Sequence, residues 1–446
     1  MIETDICIIG AGPAGMTAAI AAAAGSKKVI ILESNTTAGR KLLLTGGGRC
    51  NLTHTGTPDE LIKAYKPFDR FVRHCMHEFS PQKVRDFFRR RGVETVVEPS
   101  GCVFPKSQRS SDIKKVLVDE LEKLNVKILY GSKVHSIKLF SPDPCGRGSF
   151  AIDSQRFNII AKSLIIALGG VSWPQTGSTG DGYKFARSLG HKIIKQTAVV
   201  VPLITAEKFC SSLAGIGIPN VVINCPLRLS EASKIAGKKI SACGAMIFTH
   251  SGIGGPAVFD LSRDIAEKIG AGLKISIDLL PNMKPDELDK TICTANPRQN
   301  MSSILSQFLP KVIAKTILAE NNIPEITAGQ LNKKLRKTLV GILKHFPLTV
   351  LDTESVEKAT ATRGGVDINE IDGKTMQSKL HKGLFFAGEV INVDGPCGGY
   401  NLQFAFSSQY CPVISRIDII GYVYRSLKSC ENPQETGFLR VFSRKA

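Results

Sequence analysis

The chain of 446 residues carries 12 cysteines but no Cys-x-x-Cys pair. They are scattered, mostly inside apolar runs. This argues against a disulfide framework or structural zinc site, and for free thiols in a reducing compartment. No uninterrupted apolar run approaches the roughly 18 residues of a membrane-spanning helix, so no membrane partner is expected. Glu3 and Asp5 precede the first apolar run, where a secretory signal would be basic; the expected location is cytoplasmic. Internal repeats, low-complexity tracts and ribonucleoprotein-type aromatic motifs are also missing. Acidic residues are in short supply: 39 against 58 Lys and Arg, a formal charge of +19. Such an excess suits polyanions, or simple solubility; the total says nothing about clustering.

What is present is a soluble globular composition, 43% hydrophobic and 22% charged, in a chain long enough for two or three domains. Residues 4–10 read as a strand buried on both faces, because Ile6 to Ile9 run together without alternation. An Ala-rich helix over 13–24 and a second strand over 29–32 complete a β-α-β unit. Residues 71–92 read as one helix, and 126–130, 134–139 and 164–168 as strands. Short β-rich runs follow at 199–203, 221–223 and 273–279, then helical sequence over about 302–345. A strand at 383–387 returns to Gly-rich turns. The expected organisation is an α/β nucleotide-binding domain, 1–192 and 353–446, interrupted by a β-rich and helical substrate domain, 193–352.

The turn Gly10-Ala11-Gly12-Pro13-Ala14-Gly15 lies between the first strand and helix. Gly10 permits the tight turn, Gly12 lets a pyrophosphate approach the backbone, and Gly15 lets helix and strand pack. The helix N-terminus offers free N–H groups and partial positive charge to phosphate. Glu33, ending the second strand, is placed to accept hydrogen bonds from ribose hydroxyls. Ser34 beside it and Val134 at the start of a later strand are further candidate contacts. The turn does not separate FAD from NAD. A second Gly-x-Gly-x-x-Gly in strand–helix context is absent, which argues against a separate NAD domain.

Four other segments are distinctive. The first runs from Gly39 through Arg40, Lys41, Gly46, Gly47, Gly48, Arg49 and Cys50 to Asn51. The second is Gly169-Gly170-Val171-Ser172-Trp173 and its continuation to Tyr183. The third is Thr362-Arg363-Gly364-Gly365-Val366. The fourth comprises Ala387-Gly388-Glu389 to Gly395 and then Gly398-Gly399-Tyr400-Asn401-Leu402. With Phe248-Thr249-His250-Ser251-Gly252 in the insert, they resemble bacterial flavoproteins called BaiN-like, aminoacetone-oxidase-like or NAD(P)/FAD-dependent oxidoreductases, across nearly the whole chain. The resemblance implies a glutathione-reductase-like Rossmann domain that binds FAD through these segments. Glu389 would bond the ribityl hydroxyls, Arg40 and Lys41 phosphate, and Gly46 to Gly48, Gly398 and Gly399 would pass close to the cofactor. Amides from Tyr400 to Leu402 would face the flavin. NAD(P)H would be a transient reductant. The family includes a 23S ribosomal RNA dihydrouridine synthase, so reduction of a ribosomal uridine by hydride from reduced flavin is the implied activity. The alternatives are oxidoreduction of a small amine, ketone or steroid-like metabolite, or a flavin-bearing binding protein. Two positions depart from the pattern: Cys397 stands where Thr is common, and Gln409, before Pro412, where Gly is usual.

Reducing a uridine C5–C6 bond needs a hydride and a proton. Cys50, in the segment expected near the ring, and Cys397, beside Gly398, are the candidate proton donors. His250 is a further polarising or positioning group. Ribosomal RNA, the candidate partner, would meet basic runs. Residues 63–115 hold 13 Lys and Arg against 6 acidic residues, and Lys333-Lys334-Leu335-Arg336-Lys337 marks the insert.

Overall fold

The structure is a computed structural model that describes residues 1–140, 149–228, 239–269 and 272–409. Its central sheet begins with Ile2–Ile9, which pairs in parallel with Val29–Leu32 on one side and Asn158–Ile166 on the other. Lys127–Leu129 extends one edge, and Leu384–Phe386 lies parallel to the carboxyl end of Asn158–Ile166. An antiparallel hairpin, Val134–Phe140 with Ser149–Ser154, adds to the same sheet. The unalternated apolar run is explained by two cores. Cys7 and Ile9 enter one, Ile6 and Ile8 the other, so both faces are covered.

Helix Pro13–Ala23 follows the first strand with Pro at its first position, and nearly all its residues are buried. Residues 71–92 form two helices rather than one, Asp69–Glu78 and Pro81–Arg89. The break is local chemistry: Ser80 accepts a hydrogen bond from the Lys83 amide, and Pro81 starts the new helix because it has no N–H to give the old one. The strand expected over 199–203 is also divided. Ile193–Val199 ends at Val200, whose φ of 53° turns the chain before Leu203–Thr205 begins.

Between those points the chain changes architecture. Ile193–Val199 and Ala361–Val366 pair as an antiparallel ribbon leading out of the nucleotide domain and back. Beyond it, Leu203–Thr205, Gly252–Gly254, Lys239–Phe248, Gly217–Arg228, Leu273–Asp278 and Phe346–Thr353 close into a six-stranded barrel in that order. Helices Pro285–Cys293, Lys311–Glu320 and Lys333–Lys344 share the barrel's core. Helix Pro256–Ile265 packs on the barrel and faces the nucleotide domain. Pro412 and the segment after it lie outside the described residues. No helix among the described residues is long and apolar enough to cross a membrane.

Candidate functional site

The three fingerprint glycines do three different jobs. Gly10 has a φ of 104°, and a Cβ there would lie 2.6 Å from the Ala167 carbonyl oxygen. A Cβ on Gly15 would collide with the Gly10 carbonyl, so helix and strand touch only because it is glycine. A Cβ on Gly12 would meet no atom within 4 Å. Gly12 caps the helix N-terminus in an extended conformation, so the space above it is a cradle open to an anion. Glu33 is buried at the end of its strand. One carboxylate oxygen accepts the Ala11 N–H at 2.8 Å and the other the Asn35 N–H at 2.8 Å.

From this turn a cleft runs across the carboxyl ends of the strands, where doubly wound sheets bind their ligands. Its wall is built from Gly10 to Ala14, Glu33 and Ser34, Arg40 and Lys41, Gly46 and Asn51, Gly169 and Glu389, and finally Cys397 to Gly399 with Asn401 and Leu402. Val134 lines a smaller recess that shares Ser34, Leu168 and Gly177 with the cleft. Other expected contacts stand behind the wall. Gly15 packs the helix, and Gly388 abuts Ala14. Gly170 backs onto Thr362 and Glu389, while Tyr400 opens helix Tyr400–Ser407, whose next residues reach the wall. Gly47 and Gly48 line neither cavity. Arg49 pairs with Glu98 at 2.6 Å and lies over the Phe104 ring.

Cys50 is not brought to the cleft. Its side chain is 0% exposed, packed in the core with Leu42, Leu52 and Ile113, and burial pushes its thiol up to about 12. A φ of 65° at Cys50 rotates it inward, and its neighbour Asn51 reaches the wall instead. His250 is exposed between two barrel strands.

Midway along the cleft, Lys41 donates to Glu389 at 2.7 Å and to the Ser172 hydroxyl at 2.6 Å. The other Glu389 oxygen accepts the Thr362 N–H at 2.8 Å. Arg40 donates to Asn35 at 2.6 Å. Ser172 and Thr362 lie in distinctive segments, but no sequence pattern indicated that they would secure Glu389.

At the far end the insert meets the cleft. Helix Pro256–Ile265 brings Asp260, whose carboxylate accepts the Cys397 N–H at 2.8 Å. Burial raises the Asp260 carboxyl to about 6. The Cys397 thiol is pushed to about 12 by burial, then by Asp260 and Cys102; the Tyr400 hydroxyl is raised to about 12 for the same reasons. The Tyr400 ring stacks on His54 at 5.0 Å. None of Asp260, Cys102 and His54 was singled out by the sequence, because no motif surrounds them.

The cleft fits FAD. It is long enough to use both the Gly12 cradle and the Cys397 end. Asn51 adds a buried side-chain oxygen without a hydrogen-bond partner, an acceptor for a cofactor N–H. When bound, FAD supplies two-electron hydride chemistry, which the protein orients and polarises. A Rossmann sheet with such a cleft and a barrel insert over one end defines an FAD-dependent oxidoreductase.

The chain belongs to a known family of that class: the model described as "HI0933-like protein Rossmann domain" matches residues 4–412. A ribosomal RNA dihydrouridine synthase of Haemophilus influenzae is 31% identical over 92% of this chain and 97% of its own. A 3-dehydro-bile acid delta(4,6)-reductase of Clostridium scindens is 32% identical over 91% of this chain and 97% of its own. Among solved structures, the 3-ketosteroid delta1-dehydrogenase of Sterolibacterium denitrificans aligns over 94% of this chain and 99% of its own. Its TM-score is 0.51 and its identity 11%, a likeness of fold alone.

Proposed function

We propose that this flavoprotein reduces a uridine of ribosomal RNA to dihydrouridine, with NAD(P)H as the transient donor to FAD. The observation that carries this reading is the gathering of protonated groups where the cleft meets the insert. Saturating a carbon–carbon double bond needs a proton as well as a hydride, and Cys397 on the wall holds its proton at neutral pH. The names of the relatives from Haemophilus influenzae and Clostridium scindens both denote reductions of this kind.

The RNA substrate draws on charge. Six of the 13 Lys and Arg over 63–115 form ion pairs within the protein: Arg73 with Asp59, Arg89 with Asp86, Arg91 with Glu120, Lys106 with Glu94, Arg109 with Asp112 and Lys115 with Asp119. The insert's run is freer. Arg336 pairs with Asp289, while Lys333, Lys334 and Lys337 are exposed on one short stretch of helix. These lysines are the groups we assign to the RNA backbone.

A second reading, reduction of a steroid-like enone, is favoured by the 32% identity to the bile acid reductase, which is no lower than the 31% and 30% to the RNA enzymes. Dihydrouridine content of ribosomal RNA from a deletion strain and its complemented counterpart separates the two. Loss of one dihydrouridine on deletion and its return on complementation is expected. Unchanged content eliminates the RNA reading.

A further inference from the structure

Asp260 lies one helical turn before Arg263, and Arg263 anchors that turn to the other domain. Its guanidinium donates to the Asp394 carboxylate at 2.6 Å, to the Asp394 carbonyl at 2.9 Å and to the Lys66 carbonyl at 3.0 Å. Asp260 is thereby held against the turn Cys397-Gly398-Gly399, with the Cys397 amide as its hydrogen-bond partner. The turn is crowded. A Cβ on Gly398 would lie 3.5 Å from the His54 ring, 3.6 Å from the Cys102 sulfur and 3.6 Å from the Tyr400 ring. The charged and titratable groups around Asp260 are therefore Arg263 and Asp264 on its own helix, Cys397 on the turn, and Tyr400 on the helix that follows. Arg263 makes its ion pair with Asp394, and although its charge also favours the Asp260 carboxylate, burial outweighs it.

We propose that Asp260 is a positioning residue of the reductase, which shapes the Cys397–Gly399 turn and keeps the proton on the Cys397 thiol until substrate arrives. This inference rests on the reductase reading above. The balance is simple. When bound and reduced, FAD would supply the electron pair and one hydrogen for one carbon of the double bond. The Cys397 S–H bond breaks and its proton goes to the adjacent carbon. The thiolate left behind takes a proton from solvent.

The test uses FAD-loaded protein and two readouts. The first is the rate at which iodoacetamide alkylates Cys397, followed by peptide mass spectrometry with exposed Cys243 as internal standard. Asp260→Asn keeps an oxygen to accept the Cys397 N–H but removes the charge. Severalfold faster alkylation of Cys397 at pH 9 is expected, with Cys243 unchanged. Asp260→Glu, which retains the charge, is expected to restore slow alkylation. The second readout is the pH profile of dihydrouridine formation, which is expected to lose an inflection near pH 6 in the Asn variant. Equal alkylation in all three proteins, or Asn and Glu variants that behave alike, overturns the inference. An unaltered pH profile overturns the dependence of the Cys397 thiol on the Asp260 charge. Faster alkylation in the Asn variant, with no dihydrouridine made by the parent enzyme, supports the coupling of Asp260 to Cys397 and overturns only the uridine reading.

Discussion

Arg263 of the inserted domain and Asp394 of the FAD domain form a 2.6 Å ion pair in which the carboxylate is closed to solvent. Arg363, on the strand leading back from the insert, binds the same carboxylate through two 2.9 Å hydrogen bonds. Burial raises the Asp394 carboxyl, but the two guanidinium groups outweigh it and hold the group below its ordinary range. One carboxylate thus ties a helix of the insert and the strand returning from it to the segment that carries Cys397.

Removing one partner of such a pair leaves part of a buried charge uncompensated. Arg263→Met is expected to lower the free energy of unfolding by about 3 kcal/mol, toward the low end for buried pairs because Arg363 remains. Urea denaturation measures this. A loss below about 1 kcal/mol would show that the anchor is not structural.

Asp260 has the opposite linkage. Its folded pKa, about 6, lies above the ordinary 3.8, so the native state binds this proton more tightly than the unfolded chain does. Its ionised form therefore destabilises the fold at all pH values above 6, and the cost is relieved as pH falls from 6 toward 4. Two units correspond to about 2–3 kcal/mol. Asp260→Asn is expected to raise the thermal midpoint at pH 8 and to leave it unchanged near pH 4. Equal shifts at both pH values would contradict the assignment.

The parts of the site that the sequence makes legible are those built from consecutive residues. Gly10 to Gly15 and Glu33 take their roles from one β-α-β unit, so their order alone places them. The Glu389 network is harder, because Lys41 lies 348 residues from its partner. Asp260 is harder still. Its helix reaches the cleft only after the barrel has closed, through pairings such as Leu203 with Ile253 and with Thr353. His54 and Cys102 sit on strands of two and four residues, too short to show alternation. Cys50 and Asn51 are adjacent in sequence, and a single positive φ decides which one enters the core.

That core position makes a prediction about Cys50. Cys50→Ala is expected to keep its FAD content and turnover, and to lose about 1 kcal/mol of stability from a small cavity. A drop in turnover of more than tenfold at full FAD occupancy would return the thiol to the chemistry.

The pair Lys41 and Glu389 bears on cofactor retention. Glu389→Gln keeps the shape but breaks the charge-assisted bond with Lys41, and leaves the ammonium unpaired on the cleft wall. Bonds to charged groups contribute about 1.5–3 kcal/mol, so FAD affinity is expected to fall roughly ten- to hundredfold. Quenching of flavin fluorescence during titration of the apoprotein reads this directly. Unchanged affinity would mean that the network supports only the protein.

Gly12 and Gly15 separate cofactor binding from folding within one turn. At Gly12 the backbone has a φ of −78°, which alanine adopts freely, and the added methyl meets no protein atom. Gly12→Ala is therefore expected to leave the apoprotein as stable as the parent, or up to about 1 kcal/mol more stable through the unfolded chain. The methyl would occupy the cradle at the helix N-terminus, so FAD affinity should drop at least hundredfold, about 2.7 kcal/mol. Gly15→Ala should do the reverse first: its methyl meets the Gly10 carbonyl, the helix must move off the strand, and the apoprotein itself loses stability by about 1–3 kcal/mol. Thermal melts of both apoproteins, followed by FAD titration, distinguish the two effects. Parent-like FAD binding by Gly12→Ala would show that the phosphates do not lie over this helix end.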